Sequence, residues 1–242
     1  MKLFHGKARL VAIGLMTLAW TGWGGMAQPV AAQKPATEKS SSASGAALPK
    51  DVYPDSRSRL PLVKRESLDE AGKKTYDDAK GDPNSLVGLQ GPGGIRLHSP
   101  RFAEAARPAN QYLRFQNKLG RRLSELAILV AAREVNQQFE WTAHEPAGLK
   151  AGLEPQIIDV VKYRKPTTGL GDKEASIIQL GREVFQTRKV SSDTFAHALK
   201  LFGDETLVDI VSLMGNYAST SILLNAFDQQ LLEGQKPLLP EK

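Results

Sequence analysis

The most apolar stretch of the chain lies near its middle. Seven consecutive apolar residues, Leu126 to Ala132, fall within residues 121–136, and a helix that is apolar on every side belongs at the centre of a fold. Residues 138–150 carry a second helical pattern that stops near Gly152, so the two segments predict a central helix pair. Strand alternation never holds for more than a few residues. The pattern therefore predicts an all-α protein.

Further helix signals flank this pair from residue 66 onward. The predicted starts are a capping box at Ser67 and Glu70, a cap at Ser99 with Pro100 at the first helical position, Pro155, and caps at Asp172, Ser192 and Asp204. The predicted ends are Gly81 for the first of these helices, Val161 for the short one and about Phe227 for the last, and Pro108 either kinks or restarts its helix.

A glycine-rich segment, residues 81–95 (GDPNSLVGLQGPGGI), separates the first two of these helices. It follows no predicted strand and has neither the Lys-Ser/Thr ending of a P-loop nor the glycine order of a dinucleotide-binding turn. We expect a plain loop between helices, with a lid over a pocket as the alternative.

The N-terminal segment has the three parts of a secretory signal peptide. Positive charges in residues 1–9 precede eleven apolar residues, 10–20, and small residues lead to Ala32. Eleven apolar residues are too few to span a bilayer, which takes roughly 20 in a helix. We expect cleavage near Ala32, with Ala27 as the alternative, and a periplasmic or secreted protein with no membrane contact afterwards. An uncleaved N-terminal anchor is the other interpretation.

The remaining chain divides into three parts. Residues 33–54 begin with a Ser-, Ala- and Lys-rich stretch that predicts a flexible linker. A helical domain is expected over residues 55–235, followed by a short tail at 236–242.

Composition and charge exclude several classes of function. The 242 residues include no cysteine, which removes disulfides, thiolate metal sites and cysteine nucleophiles. The formal net charge is +6, and Lys2, Lys7 and Arg9 in the first segment supply three of those charges, which leaves +3 for residues 33–242. So small a charge gives no support to a nucleic-acid partner.

The chemistry-bearing residues cluster on the central helix pair. Glu140 and His144 are four residues apart and share one helix face, with Trp141 three residues before the histidine. If the two helices form a tight antiparallel pair, Glu125 lies level with His144. Two carboxylates and an imidazole against an apolar wall favour proton transfer, because burial and neighbouring charges bring such groups close to neutral pKa values.

Two alternatives remain open for this cluster. The Glu–His pair could serve only to fix helix packing. The three side chains could also hold a metal ion, although the di-iron pattern requires Glu-x-x-His on paired helices and this chain has a single Glu-x-x-x-His. We expect neither metal nor cofactor. His98 in a loop and His197 on a helix are weaker candidates.

The run SELAILVAAREVNQQFEWTAHEPAGLKAGL resembles the carboxymuconolactone decarboxylase-like family of the AhpD-like superfamily. Members have a glutamate at the start of a central apolar helix and a histidine nineteen positions later, as Glu125 and His144 are spaced here. The peroxidase members place a C-x-x-C pair where this chain has Gln137 and Glu140. The E-W-x-x-H form, completed by Trp141, is similar to the cysteine-free branch.

This resemblance, which covers roughly residues 55–235, implies an AhpD-like orthogonal helical bundle. It also implies an exported, cofactor-free enzyme, a decarboxylase-like lyase that acts on a small organic acid or lactone by acid–base proton transfer. In the expected roles, His144 is the acid or base, Glu140 orients it, Glu125 relays a proton, Trp141 forms an apolar wall, and Arg121 and Arg122 hold a substrate carboxylate.

The family likeness also implies self-assembly into a homotrimer or a multiple of three, and the apolar run SILLNAF near the C-terminus agrees with a buried interface. The alternative function is a non-catalytic module for ligand binding or assembly on the same fold. Thiol peroxidase activity is not expected, because the chain has no cysteine.

Overall fold

A computed structural model describes residues 47–240, and within this range the protein is all-helical, as the sequence predicts. Within the same residues, β pairing is limited to one isolated β-bridge between Tyr53 and Ser58. The helices are α1 (Glu70–Lys80), α2 (Pro92–Arg96), α3 (Pro100–Gln111), α4 (Arg121–Glu134), α5 (Gln138–Lys150), α6 (Pro155–Lys162), α7 (Asp172–Arg182) and α8 (Ser192–Ala226).

The predicted central pair consists of α4 and α5. Every residue from Ser124 to Ala132 of α4 is buried, because α5, α6, α7 and α8 all pack against this helix. A short turn at Asn136, which has a φ of 55°, joins the pair, and the side chain of Gln137 accepts a hydrogen bond from the Phe139 amide at the start of α5. This tight connection makes the two helices antiparallel neighbours.

The first helix begins later than its predicted capping box. Asp69 is the N-cap of α1, and its carboxylate accepts a hydrogen bond from the amide of Gly72. The Ser67 hydroxyl instead donates to the carbonyl of Lys64 within a single 3-10 turn. An aspartate two residues closer to the helix therefore replaces the predicted serine cap, since both side chains are strong N-caps.

The last two helices begin at the residues predicted as their caps, Asp172 and Ser192, so each observed cap lies one residue earlier. Gly171 precedes α7, and the hydroxyl of Ser191, rather than that of Ser192, caps α8 by accepting from the Thr194 amide. The predicted break before Asp204 is present as a kink inside α8, where Gly203 has a φ of 72° and a ψ of 171°. Glycine adopts this backbone without steric cost.

Two helices end in π-helical turns. Pro108 lies inside α3, which continues past it to Gln111 and then widens into a π turn at Tyr112–Gln116. A second π turn, Glu183–Thr187, follows α7. Such turns are frequent at functional sites because they displace side chains from the regular helical positions.

The 35-residue α8 is long and apolar enough, at a mean hydropathy of 1.4, to cross a membrane by length and composition alone. Half of its apolar window is buried in the protein, against α4 and α7 among others. Its buried face includes Ile210, Leu213 and Met214, which belong to the same core as the buried face of α4. In this structure α8 is thus a core helix.

The packed body is longer at both ends than the expected range of 55–235. Val52 is buried, and Leu239 is only 4% exposed, with its amide donating to the side-chain oxygen of Gln138. Apolar side chains at both edges therefore belong to the core. The expected signal peptide, residues 1–32, and most of the expected linker lie outside the described residues.

Candidate active site

Glu125 and His144 meet across the central helix pair. Oε2 of Glu125 lies 2.7 Å from Nδ1 of His144, and both side chains are buried. Since α4 and α5 are antiparallel, the nineteen-residue spacing places the two residues at the same level. The structure thus brings together the pair that the sequence pattern singles out.

Arg121 completes the surroundings of Glu125. Its guanidinium donates to Oε1 of Glu125 at 2.6 Å and to the backbone carbonyl of Arg114 at 3.0 Å. Burial alone would raise the pKa of Glu125, but His144 and Arg121 outweigh it and hold this pKa below its usual value. An ionised carboxylate only accepts hydrogen bonds, so the hydrogen between the two residues belongs to Nδ1 of His144. In the neutral ring this leaves Nε2 as an acceptor.

Glu140 lies on the other side of the imidazole. Its Oε2 is 3.4 Å from Nε2 of His144, and the side chain is buried. Burial raises the pKa of Glu140, against the opposing charges of His144, Arg96 and Arg114. The two glutamates that flank one histidine are therefore shifted in opposite directions, and such a difference separates an acid from a charge-stabilising base.

Tyr217 of α8 packs against the same ring. Its ring centroid is 4.9 Å from that of His144, with the two rings nearly perpendicular at 89°. Burial raises the pKa of Tyr217 well above its usual value, so the side chain remains a neutral phenol. The tyrosine thus fixes the orientation of the imidazole without adding charge.

Glu140 and His144 open onto a cavity of about 160 Å³. Its walls come from α1, α2, α3, α5, α8 and the loop between α1 and α2. Among the lining residues, the large apolar side chains are Leu86, Val87, Leu97 and Phe139. Polar side chains that line it include Arg96, Arg114, Asn216 and Thr220. An imidazole and a buried carboxyl group therefore face a small space of mixed character.

Residues 81–91 of the glycine-rich segment form the loop between helices that the sequence predicts, and its last four residues belong to α2. Residues between 82 and 88 also form one wall of this cavity, as in the lid alternative, and we call this part the lid. Asp82 holds the segment to α3, since its carboxylate accepts from Gln111 at 2.6 Å and lies 3.7 Å from Arg107. Gly94 allows the loop to pass close to α2, because a Cβ there would lie 1.8 Å from the carbonyl oxygen of Leu89.

The sequence reasoning missed two arginines in this cavity. Arg114, on the π turn after α3, is only 9% exposed, and its Nε and one terminal nitrogen have no partner in the described part of the chain. Arg96, at the end of α2, donates to the hydroxyl of Thr220 at 2.6 Å, while its Nε has no partner. The one available signal was an arginine between large apolar residues in YLRFQ, and the π turn that turns it inward is not visible in the sequence.

Four of the six predicted site residues do not line the cavity, and one of these, Glu125, lies behind His144 as described above. Trp141 is wholly buried in the core, where its indole nitrogen donates to Glu145. Arg122 points the other way, toward Glu154 and, at 2.5 Å, Glu174. Arg121 binds Glu125, as described above. These ion pairs and the packing of the indole occupy the side chains that were expected to bind substrate.

Within residues 47–240, no three or more His, Asp or Glu side chains are arranged to hold a metal ion. The Nδ1 of His144 is taken by Glu125, while Nε2 faces Glu140.

Comparisons with known proteins agree with the fold. The sequence matches no protein-family model and no curated protein. Its structure is similar to the alkylhydroperoxidase AhpD core of an uncharacterized peroxidase-related protein from Ralstonia eutropha JMP134, with a TM-score of 0.57 and 16% identity. The match covers 75% of this chain and 98% of that one. The chain therefore has the AhpD-like helical fold that the resemblance implies.

Proposed function

We propose that this protein is an enzyme of the carboxymuconolactone decarboxylase-like kind, which transfers protons on a small organic acid or lactone without a cofactor. The observation that carries the proposal is the row Glu125–His144–Glu140, which ends at a cavity. One carboxylate is held ionised behind the imidazole, and a second carboxyl group of raised pKa stands in front of it.

In the proposed reaction, Nε2 of His144 removes a proton from the substrate. Glu125 keeps Nδ1 protonated and stabilises the imidazolium that forms, as a buried carboxylate does in other acid–base sites. Glu140, which favours its protonated form, returns a proton. In a decarboxylation the first of these steps is absent: the bond to the carboxylate carbon breaks, CO2 leaves, and the electron pair stays on the neighbouring carbon. That carbon takes the proton of Glu140, and the Glu140 carboxylate regains a proton from water through Nε2 of His144.

The proposed proton transfer differs from the peroxidase chemistry that is suggested by the description of the Ralstonia protein of similar fold. The present chain contains no cysteine, and Glu140 stands at one of the two positions where peroxidase members of the superfamily have thiols. A buried carboxyl group can exchange protons, but it cannot form the disulfide on which thiol peroxidases depend.

The proposal is tested by proton NMR in D2O with a panel of small carboxylic acids and lactones. We expect the chain to catalyse carbon–hydrogen exchange or CO2 release for at least one compound, and His144→Gln to slow it by about two orders of magnitude or more. The matched control is His197→Gln, since His197 is an exposed histidine on α8, and its rate should equal that of the wild type. Equal rates in wild type and His144→Gln would contradict the proposal. Binding without exchange would favour the non-catalytic binding module.

Two further features belong to the same proposal. An exported location rests on the signal-peptide pattern of residues 1–32 and is tested by N-terminal sequencing of the protein from the periplasm or culture fluid.

Self-association, as a homotrimer or a multiple of three, is supported by exposed apolar side chains on one face of α8. They are Val208, Val211 and Ile222. Light scattering should give an oligomer that Ile222→Glu dissociates.

A further inference from the structure

The cavity has an excess of hydrogen-bond donors. Four buried nitrogen atoms have no hydrogen-bond partner among residues 47–240: Nε of Arg96, Nε and a terminal nitrogen of Arg114, and the amide nitrogen of Asn216. All three residues line the cavity. The guanidinium group has five N–H donors and no acceptor, so neither arginine can be satisfied by the other. A buried donor without a partner is costly, and its presence on a cavity wall points to an acceptor that binds there.

The charges around the cavity lead to the same conclusion. Arg107, a third arginine of the lining, has a carboxylate partner in Asp82, whereas Arg96 and Arg114 form no ion pair with any residue that the structure describes. Both arginines act electrostatically on Glu140, whose pKa burial raises, so it offers less negative charge than an ordinary carboxylate. Arg114 also acts on Glu125, but that carboxylate is already paired with Arg121. Two arginines thus face the cavity without full compensation. Buried charges normally have a partner, and residues 47–240 do not supply one for these two arginines.

The size and remaining lining of the cavity restrict the partner. A volume of about 160 Å³ is close to that of a protein cavity that accommodates benzene. The lid contributes Leu86 and Val87 and α5 contributes Phe139, so one side of the cavity is apolar. An organic anion with a small apolar body fits both sides, whereas a wholly polar anion such as inorganic phosphate leaves the apolar wall without contacts.

We propose that Arg96 and Arg114 form a carboxylate-binding subsite, which holds a small organic acid beside Glu140 and His144. This rests on the proposed function and narrows its substrates, because a neutral lactone has no carboxylate for the two arginines. Arginine suits the role, since its planar fork matches the two oxygens of a carboxylate. The subsite replaces Arg121 and Arg122, whose guanidinium groups bind carboxylates of the chain itself.

Calorimetric titration of the full chain with benzoate, benzamide and inorganic phosphate tests the subsite. Benzoate and benzamide have nearly the same shape, and only benzoate carries the charge. We expect benzoate to bind in the millimolar range or tighter, and benzamide and phosphate to bind at least about tenfold more weakly. Arg96→Gln and Arg114→Met should each weaken benzoate binding by about ten- to a hundredfold. Arg101→Gln removes the same charge from an exposed position of α3 and should leave binding unchanged.

The melting temperature without ligand separates a binding role from a structural one. Because Arg114 is buried without an ion pair, Arg114→Met should melt at the same or a higher temperature than the wild type while it loses benzoate. A lowered melting temperature with unchanged benzoate affinity would overturn the subsite, as would equal affinities for benzoate and benzamide or no benzoate binding at all. His144→Gln should retain benzoate binding. If His144→Gln loses proton exchange but still binds benzoate, the arginine subsite is supported independently of the acid–base chemistry. If Arg96→Gln and Arg114→Met both retain the full exchange rate, the subsite is refuted while the acid–base proposal is not.

Discussion

The imidazole of His144 lies between two carboxyl groups whose pKa values are shifted in opposite directions, that of Glu125 downward and that of Glu140 upward. The shorter of its two contacts with them is the 2.7 Å hydrogen bond between its Nδ1 and Oε2 of Glu125. This contact joins α4 to α5 inside the core, where neither side chain reaches bulk solvent. It also determines which ring nitrogen faces the cavity. A purely structural pair would need only this bond, and the second carboxyl group, Glu140, on the cavity side is the additional element that proton transfer requires.

Replacement of His144 by glutamine should affect chemistry far more than stability. Glutamine has a similar volume and can still donate a hydrogen bond to Glu125, so the free energy of unfolding should fall by only about 1–2 kcal/mol. Turnover should fall by about two orders of magnitude. Thermal unfolding and rates measured on the same preparation check both values. A large fall in melting temperature with ligand binding unchanged would mean that the pair only fixes helix packing.

Glu140→Gln should become more stable relative to the wild type as the pH rises. The folded pKa of Glu140 is raised by burial, so its protonated form stabilises the fold at low pH, and this contribution is lost as the pH rises through the folded pKa. Glutamine cannot ionise and avoids the loss. The melting temperature of the variant minus that of the wild type should therefore increase as the pH is raised from acidic to neutral. Parallel curves would contradict the raised pKa.

Glu125→Gln should show the opposite dependence. The pKa of Glu125 is lowered in the folded protein, so its ionised form stabilises the fold above the unfolded pKa, and the contribution is lost as the pH falls through the folded value. At neutral pH the variant should lose about 3 kcal/mol, because His144 and Arg121 lose their buried partner. The deficit should shrink in acid. Chemical denaturation at several pH values measures it, and a deficit that grew in acid would refute the assignment.

Gly94→Ala tests whether the lid needs its close passage over α2. The added Cβ would lie 1.8 Å from the carbonyl oxygen of Leu89, so the loop must move, at a cost of about 1–3 kcal/mol. Gly215→Ala is the matched control, since its Cβ on α8 would meet nothing within 4 Å and Gly215 does not line the cavity. We expect benzoate affinity to fall in Gly94→Ala and to stay the same in Gly215→Ala. Equal affinities in both variants would show that the lid position is unimportant for binding.

The sequence predicts the fold better than the far wall of the site. Helical periodicity and the apolar run of α4 identify the central pair, and the residue spacing along that pair is enough to bring Glu125 to His144. The sequence pattern did not predict the two cavity arginines as site residues, because they lie on other elements. Arg114 is on a π turn, and Arg96 is at the end of a five-residue helix. Their inward direction depends on tertiary packing, which local pattern does not encode.

The errors have a similar physical origin. Trp141 shares a helix with His144, but the three-residue offset is enough to turn the indole into the core, where it donates to Glu145. Arg121 and Arg122 were correctly placed one turn before Glu125. Both arginines instead form ion pairs with carboxylates of the chain. The partners of Arg122, Glu154 and Glu174, lie more than 30 residues away in sequence. Distant ion pairs of this kind are invisible to a reading of local spacing.

The tautomer of His144 tests the account most directly, and nitrogen-15 NMR of the imidazole measures it without knowledge of the substrate. With Glu125 ionised behind the ring, the neutral imidazole should carry its hydrogen on Nδ1, and the unprotonated Nε2 should shift when benzoate fills the cavity. The Glu125→Gln variant should lose this preference. A hydrogen on Nε2 in the wild-type protein, or an Nε2 signal that does not respond to benzoate, would contradict a base that faces the cavity.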